Sequence, residues 1–98
     1  MNINKQVNGN VMNITLEGRL DTTTAPDLEK TLKDSLDGIT ELTLDLKGLD
    51  YISSAGLRVL LSAQKVMTGD KSMKLVNVGE SIMEVFEVTG FSEILTIE

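Results

Sequence analysis

Hydrophobic and polar residues alternate at the start of the chain, on both sides of an Asn8-Gly9 pair. Before the pair, Ile3, Lys5 and Val7 alternate with polar residues, and after it Met12, Ile14 and Leu16 do so. A period of two is typical of a strand with one buried face, and Asn-Gly favours the tight turn of a hairpin. The pattern therefore predicts an N-terminal β-hairpin whose second strand ends at Gly18.

Three later segments have the spacing of amphipathic helices. Their apolar residues are Leu28, Leu32 and Leu36 in the first, Leu57, Leu60, Leu61, Ala63 and Met67 in the second, and Ile82, Met83 and Phe86 in the third. We expect the first helix to begin at a capping box formed by Thr24 and Asp27 and to stop at Asp37-Gly38. The second should stop at Gly69-Asp70, and the third should be capped by Ser81 and end at Gly90.

Strands are predicted between and after these helices. Leu42, Leu44 and Leu46 alternate with polar residues, residues 73–78 form a mostly apolar run, and residues 94–97 form a short last segment. The element order is ββαβαβαβ, and strands that alternate with helices favour parallel crossovers. We therefore expect a small single α/β domain over residues 1–98, with a mixed, mainly parallel sheet and an N-terminal hairpin.

Composition excludes several kinds of chemistry. The 98 residues include no His and no Cys, so the chain cannot form a Ser-His-Asp triad, a Cys-His dyad or a zinc site built from Cys or His. A Ser nucleophile would need Lys or a carboxylate as its base. Asp21 and Asp50 offer two carboxylates in adjacent turns, which without a third ligand are weak evidence for a divalent-cation site. We therefore predict no catalytic residues, no metal site and no cofactor, and do not expect an enzyme.

Charge and hydropathy restrict the partners. The net charge is -6 at pH 7, which repels the phosphates of nucleic acids and anionic lipids. No apolar run approaches the roughly 18 residues that a membrane-spanning helix needs, and the first residues do not resemble an export signal. We therefore expect a cytoplasmic protein that neither binds nucleic acid nor inserts into a membrane.

Candidate chemistry lies in residues 51–57, between the strand expected to end at Leu46 and the second helix. Ser53 and Ser54 stand where that helix begins. A Ser at this position can accept a backbone N–H as an N-cap, and the first-turn amides would also stabilise a phosphate carried on it. Gly56 would allow a close approach of another group. A simple helix cap, with a glycine that relieves packing, is the structural alternative.

The segment Tyr51-Ile52-Ser53-Ser54-Ala55-Gly56-Leu57-Arg58-Val59-Leu60-Leu61 resembles the signature of the STAS domain, named after sulfate transporters and anti-sigma factor antagonists. Gly18-Arg19-Leu20-Asp21 is similar to the family's turn after the hairpin, Leu44-Asp45-Leu46 to its central strand, and Thr89-Gly90-Phe91 to its closing turn. The resemblance covers essentially the whole chain. It implies the STAS fold and a bacterial anti-sigma factor antagonist.

The resemblance also implies how such a protein works. An unphosphorylated Ser in the motif lets the domain bind an anti-sigma factor that is also a Ser/Thr kinase of the GHKL type, which frees the sigma factor and so regulates transcription. Phosphorylation by that kinase ends the binding, and a metal-dependent phosphatase restores it. Motif alignment makes Ser54 the phosphoacceptor. Many antagonists carry Asp immediately before the acceptor, where this chain has Ser53, and this second hydroxyl makes Ser53 an alternative acceptor.

The partner-binding residues expected from the resemblance are Asp21, Thr22, Ser53, Ser54, Ala55, Gly56, Leu57 and Arg58. Asp21 matches an acidic residue of the family that helps to shape the partner surface. Arg58 lies one helical turn beyond the serines, where it would contact a phosphate on Ser54 or a carboxylate of a partner. The alternative function is a STAS module that binds a small ligand, a nucleotide or a lipid, or that assembles in a sensory or transport complex without phosphorylation.

Overall fold

A mixed four-stranded sheet and three helices make up the computed structural model, which describes residues 1–98. Strands β1 (Asn2–Asn8), β2 (Val11–Leu20), β3 (Glu41–Ile52) and β4 (Ser72–Val76) lie in the order β1-β2-β3-β4. The helices are α1 (Ala25–Ser35), α2 (Ser54–Val66) and α3 (Glu80–Thr89), and a 3-10 turn spans Phe91–Glu93. β1 pairs antiparallel with β2, and the other two pairings are parallel. The small α/β fold with an N-terminal hairpin is thus confirmed.

The core lies on one face of the sheet. The central strands direct buried side chains towards it, namely Met12, Ile14 and Leu16 from β2 and Leu42, Leu44 and Leu46 from β3. They belong to a single cluster of 24 buried apolar residues that also includes Leu28, Leu60 and Phe86 from the three helices. The side chains that alternate with them, such as Asn13 and Thr43, are not buried. The opposite face of the sheet is therefore polar and uncovered.

β2 and β3 extend further than the alternation predicts. Gly18 does not end β2, which continues to Leu20, and β3 continues beyond Leu46 to Ile52. Gly18 has a φ of 104°, a conformation that would strain a residue with a side chain, and this explains a glycine inside a strand. The two strands end side by side, with Leu20 paired to Ile52.

The pairing between these two strands is irregular. Between the Thr15–Asp45 pair and the strand ends, β3 contains two more residues than β2. In a regular strand, positions three apart face opposite sides of the sheet. Each extra residue in β3 turns the next apolar side chain back to the core side of the sheet. Leu46, Leu49 and Ile52, which are three positions apart, are therefore all buried in the same core.

The helix ends agree with the sequence pattern in part. α1 begins after Thr24, but the Thr24 side chain makes no capping hydrogen bond, so the expected capping box with Asp27 is wrong. α3 follows Gly79 and already contains Ser81, which is therefore not its cap, and it ends as predicted at Gly90, where φ is 82°. None of the three helices has the length and apolar character of a membrane span.

The C-terminal residues lie beside β4 without forming a regular strand. One parallel bridge joins Leu75 to Ile97. Two backbone hydrogen bonds flank it, from Leu75 N–H to Thr96 O and from Glu98 N–H to Leu75 O, both at 2.9 Å. The last strand predicted from the sequence is therefore reduced to this bridge.

Candidate functional site

The candidate residues follow the C-terminal ends of the central strands β2 and β3, which lie side by side. Asp21 and Thr22 follow β2, and Ser53 follows β3 as the N-cap of α2. The backbone N–H of Ser53 donates a 2.9 Å hydrogen bond to the carbonyl oxygen of Leu20. This bond joins the two turns, so the residues predicted from two distant segments of the sequence form one surface.

The two serines at the start of α2 have different environments. Ser53 is half-buried, its backbone is extended with φ -98° and ψ 174°, and its hydroxyl accepts a 3.4 Å hydrogen bond from the N–H of Gly56. Ser54 is the first residue of the helix and is exposed. Its hydroxyl takes part in none of the side-chain hydrogen bonds of the two turns. The cap is thus Ser53, and the Ser54 hydroxyl faces solvent.

Gly56 and Leu57 lie beneath this surface rather than on it. Both are buried, and a Cβ on Gly56 would meet Leu20 Cγ at 2.7 Å and Ile52 Cγ1 at 2.9 Å. The close approach that a glycine permits here is therefore made by the chain's own strand residues. The structural alternative for Gly56, relief of packing between α2 and the sheet, accounts for its position.

Asp21 organises the turn between β2 and α1. Its Oδ1 accepts hydrogen bonds from the hydroxyl of Thr23 at 2.7 Å, the N–H of Thr23 at 3.0 Å and the N–H of Thr24 at 3.2 Å. These bonds, that of the Thr23 hydroxyl above all, hold the pKa of Asp21 below its usual value. Asp21 is therefore a carboxylate at neutral pH.

The Thr24 hydroxyl belongs to the same turn. It donates to the carbonyl oxygen of Arg19 at 2.7 Å and accepts the N–H of Asp21 at 2.8 Å. Because these bonds engage the hydroxyl within the turn, it does not cap the first amides of α1. The predicted start of the helix is right, but Thr24 orders the preceding turn instead of capping it.

An arginine stacks on an aromatic ring beside the Asp21 turn. The guanidinium carbon of Arg19 lies 4.2 Å from the centroid of the Tyr51 ring, and the two residues are paired across β2 and β3. Arg19 Nε is also 3.8 Å from Asp21 Oδ2. The sequence pattern does not single out this pair, because β3 was expected to end before Tyr51. The strand register, which pairs Arg19 with Tyr51, is what shows that the two side chains lie together.

A cleft of about 250 Å³ opens between the N-terminal halves of α1 and α2. Three of the expected partner-binding residues, Thr22, Ala55 and Arg58, line it together with Glu29 and other residues of the two helices. Arg58 is exposed and takes part in none of the ion pairs of the chain. No group of three or more acidic side chains lies close enough together to hold a metal ion.

Comparison with known protein families matches nearly the whole chain. The family model described as the STAS domain matches residues 2–98. An anti-sigma-B factor antagonist of Bacillus subtilis (strain 168) is 32% identical over 100 residues, which cover 99% of this chain and 92% of the relative. The match therefore spans both proteins almost end to end.

Solved structures share the fold. An anti-sigma factor antagonist from Mycobacterium paratuberculosis gives a TM-score of 0.88 at 21% identity, over 98% of this chain and 83% of that one. The Bacillus protein SpoIIAA gives 0.73 in its unphosphorylated form, at 16% identity over 99% of this chain and 87% of that one. Its phosphorylated form also gives 0.73, at 15% identity over 99% and 91%. At these identities the similarity establishes the fold alone.

Proposed function

The chain belongs to the STAS domain family, and on this basis we propose that it is an anti-sigma factor antagonist that changes partners through phosphorylation of Ser54. Unphosphorylated, it binds an anti-sigma factor that is a Ser/Thr kinase of the GHKL type, and the sigma factor is released. Phosphorylation by that kinase ends the binding, and a metal-dependent phosphatase restores it. The chain thus acts in the cytoplasm as a binding protein and not as an enzyme.

The observation that carries this proposal is the difference between the two serines. Ser54 presents an exposed hydroxyl at the first residue of α2, whereas the Ser53 hydroxyl accepts the N–H of Gly56. A kinase can therefore modify Ser54 without removing the cap of the helix. Phosphorylation of Ser53 would disrupt that cap, which favours Ser54 as the acceptor.

The proposed docking surface consists of the exposed residues around Ser54. They are Thr22 and Arg58 at the cleft, with the half-buried Ala55 between them and the Asp21 turn beside them, while Gly56 and Leu57 support the surface from below. The name of the Bacillus subtilis relative, an anti-sigma-B factor antagonist, supports an anti-sigma factor as the partner. SpoIIAA, which has the same fold, exists in a phosphorylated form, and this supports a phosphate as the switch.

Electrostatics explain why a phosphate would end the binding. A phosphate adds roughly -1.5 to -2 charges to a protein whose net charge is already -6. At ~6 Å from a carboxylate of the partner, with an effective dielectric constant near 20, each added unit of charge costs about 2–3 kcal/mol. One phosphate would therefore lower the affinity by about a hundredfold or more.

Affinity capture from lysate of the native host tests the proposal. The baits are the wild type, Ser54→Asp and the control Ser81→Asp, which places the same charge at an exposed position in the first turn of α3. We expect a GHKL-type kinase to bind the wild type and the Ser81→Asp control, and to be lost from Ser54→Asp. The captured kinase, incubated with ATP, should phosphorylate the wild type and Ser53→Ala but not Ser54→Ala.

The same experiment separates the alternative function. If the wild type and Ser54→Asp retain the same partners, and those are subunits of a sensory or transport complex, Ser54 is a structural residue and the chain is an assembly module. Binding of a small ligand, a nucleotide or a lipid, with no kinase among the captured proteins, would point to the ligand-binding form of that alternative.

A further inference from the structure

Arg58 is placed to reach a phosphate on Ser54. The two residues are four positions apart in α2, a spacing that puts side chains on the same helix face with Cβ atoms about 5–6 Å apart. Both residues are exposed. The acidic group would lie N-terminal to the basic one, which is the more favourable order of an ion pair in a helix.

The acidic residues of the cleft and of the adjoining Asp21 turn each lie near another cation. Glu29 is the one acidic residue that lines the same cleft, and its Oε1 already lies 3.7 Å from Lys33 Nζ. In the neighbouring turn, Asp21 Oδ2 lies 3.8 Å from Arg19 Nε. Arg58 itself forms no ion pair in the chain, so its five N–H donors remain open to an incoming anion.

From this geometry we propose that Arg58 pairs with the phosphate of phosphorylated Ser54 within the same chain. The proposal rests on the proposed function in one respect, that Ser54 carries the phosphate. The planar guanidinium presents N–H groups in a fork that matches two phosphate oxygens. In the unphosphorylated chain the same fork is free to bind a carboxylate of the partner.

Phosphorylation then has two effects on binding instead of one. It adds negative charge at Ser54, and it occupies the donors of Arg58, so that an attractive contact with the partner is lost at the same time as a repulsive charge appears. Arg58 is thus a regulatory residue whose partner changes with the state of Ser54.

A titration of the phosphate tests the pairing without any kinase. Phosphoserine is introduced at position 54 during translation, and phosphorus NMR follows its second ionisation, which has a pKa of about 6. We expect this pKa to be lower in the otherwise wild-type chain than in Arg58→Gln by about 0.15–0.4 pH units. The charged groups of the neighbouring elements, Glu29 of α1 and Asp21 of its preceding turn, are the same in both proteins.

Lys65→Gln is the matched control, because it removes one positive charge from the last turn of the same helix. The pKa of the phosphate should stay at the wild-type value in this variant. Equal values in the wild type and Arg58→Gln would overturn the proposal, as would a shift in Lys65→Gln as large as that in Arg58→Gln. A kinase that leaves Ser54 unmodified would refute the proposed function, but it would not alter this titration.

Discussion

The Ser53 hydroxyl accepts the backbone N–H of Gly56 at 3.4 Å, and this bond assigns the two neighbouring serines to different tasks. Ser53 satisfies an amide at the start of α2, while Ser54 points its hydroxyl to solvent. Ser53 therefore stabilises the helix, and the hydroxyl of Ser54 remains available for modification. Because the tasks are separate, substitutions at the two positions should have separable effects.

Removing the cap should destabilise the protein. Ser53→Ala leaves the Gly56 N–H without its side-chain acceptor, and we expect the free energy of unfolding to fall by about 0.5–1 kcal/mol, the lower part of the usual range because the bond is long. Ser53→Asp keeps an acceptor and adds a negative charge near the helix N-terminus, so its stability should equal or exceed that of the wild type. Urea unfolding measures both; equal losses in the two variants would show that Ser53 does not act as a cap.

Placing a methyl group on Gly56 should be unfavourable although alanine suits helices. The new Cβ would lie 2.7 Å from Leu20 Cγ and 2.9 Å from Ile52 Cγ1, and both side chains are buried. The clash outweighs the gain in helix propensity, so we expect Gly56→Ala to lower the free energy of unfolding by about 1–2 kcal/mol. Ser62→Ala, at an exposed position of the same helix, should be neutral or slightly stabilising, and a stabilising Gly56→Ala would contradict the observed packing.

The Thr23 hydroxyl should control the ionisation of Asp21. Its hydrogen bond is the largest cause of the lowered pKa of Asp21, so Thr23→Val should raise that pKa towards its usual value. Carbon NMR of the side-chain carboxylate measures the change. Thr22→Val is the control, since Thr22 donates no hydrogen bond to Asp21, and an equal shift in both variants would refute the assignment.

The lowered pKa also sets a pH dependence of stability. Because ionised Asp21 is favoured in the folded protein, its contribution is present above the pKa of the unfolded chain and is lost as the pH falls through the lower folded pKa. The difference in unfolding free energy between the wild type and Asp21→Asn should therefore be largest near neutral pH and shrink below about pH 4. Urea unfolding at several pH values measures it, and a difference that grew in acid would have the wrong sign.

A negative charge at Ser54 should not unfold the domain. The first turn of α2 contains no acidic residue, and a carboxylate there interacts favourably with the helix dipole. We expect Ser54→Asp to raise the free energy of unfolding by about 0.3–1 kcal/mol, as measured in urea at low salt. A marked loss of stability would mean that reduced partner binding by this variant reflects unfolding and not charge.

The alternation of residue types predicts which elements form but not where all of them end. Leu42, Leu44 and Leu46 indicate β3 correctly, yet the strand continues to Ile52 because two extra residues keep the later apolar side chains in the core. Irregular pairing of this kind leaves no simple period in the sequence. Similarly, the apolar residues 94–97 predict a strand, whereas the structure forms a single bridge at Ile97.

At the site, the sequence predicts which residues lie close together better than it predicts what each residue does. Parallel strands end at one edge of a sheet, so the proximity of the Asp21 and Ser53 turns follows from the element order. Which serine caps α2 depends on the backbone angles at Ser53, and the packing of Gly56 depends on where β3 ends. These are tertiary properties, and they became visible only with the structure.

Backbone pairing with β2 holds β1 in the sheet, and burial of its side chains contributes little. All seven of its residues pair with β2, yet none is buried and Ile3 alone is half-buried. Separating this strand exposes little apolar surface, so the free energy of opening it is small compared with that of global unfolding. Amide protons of β1 should therefore exchange with solvent through local opening of this edge strand, while those of residues 41–45 in β3, which pair with both β2 and β4, should exchange through global unfolding. The slowest-exchanging amides should therefore lie in the middle of the sheet, where β3 has a strand on both sides, and opening of β1 should leave that region paired.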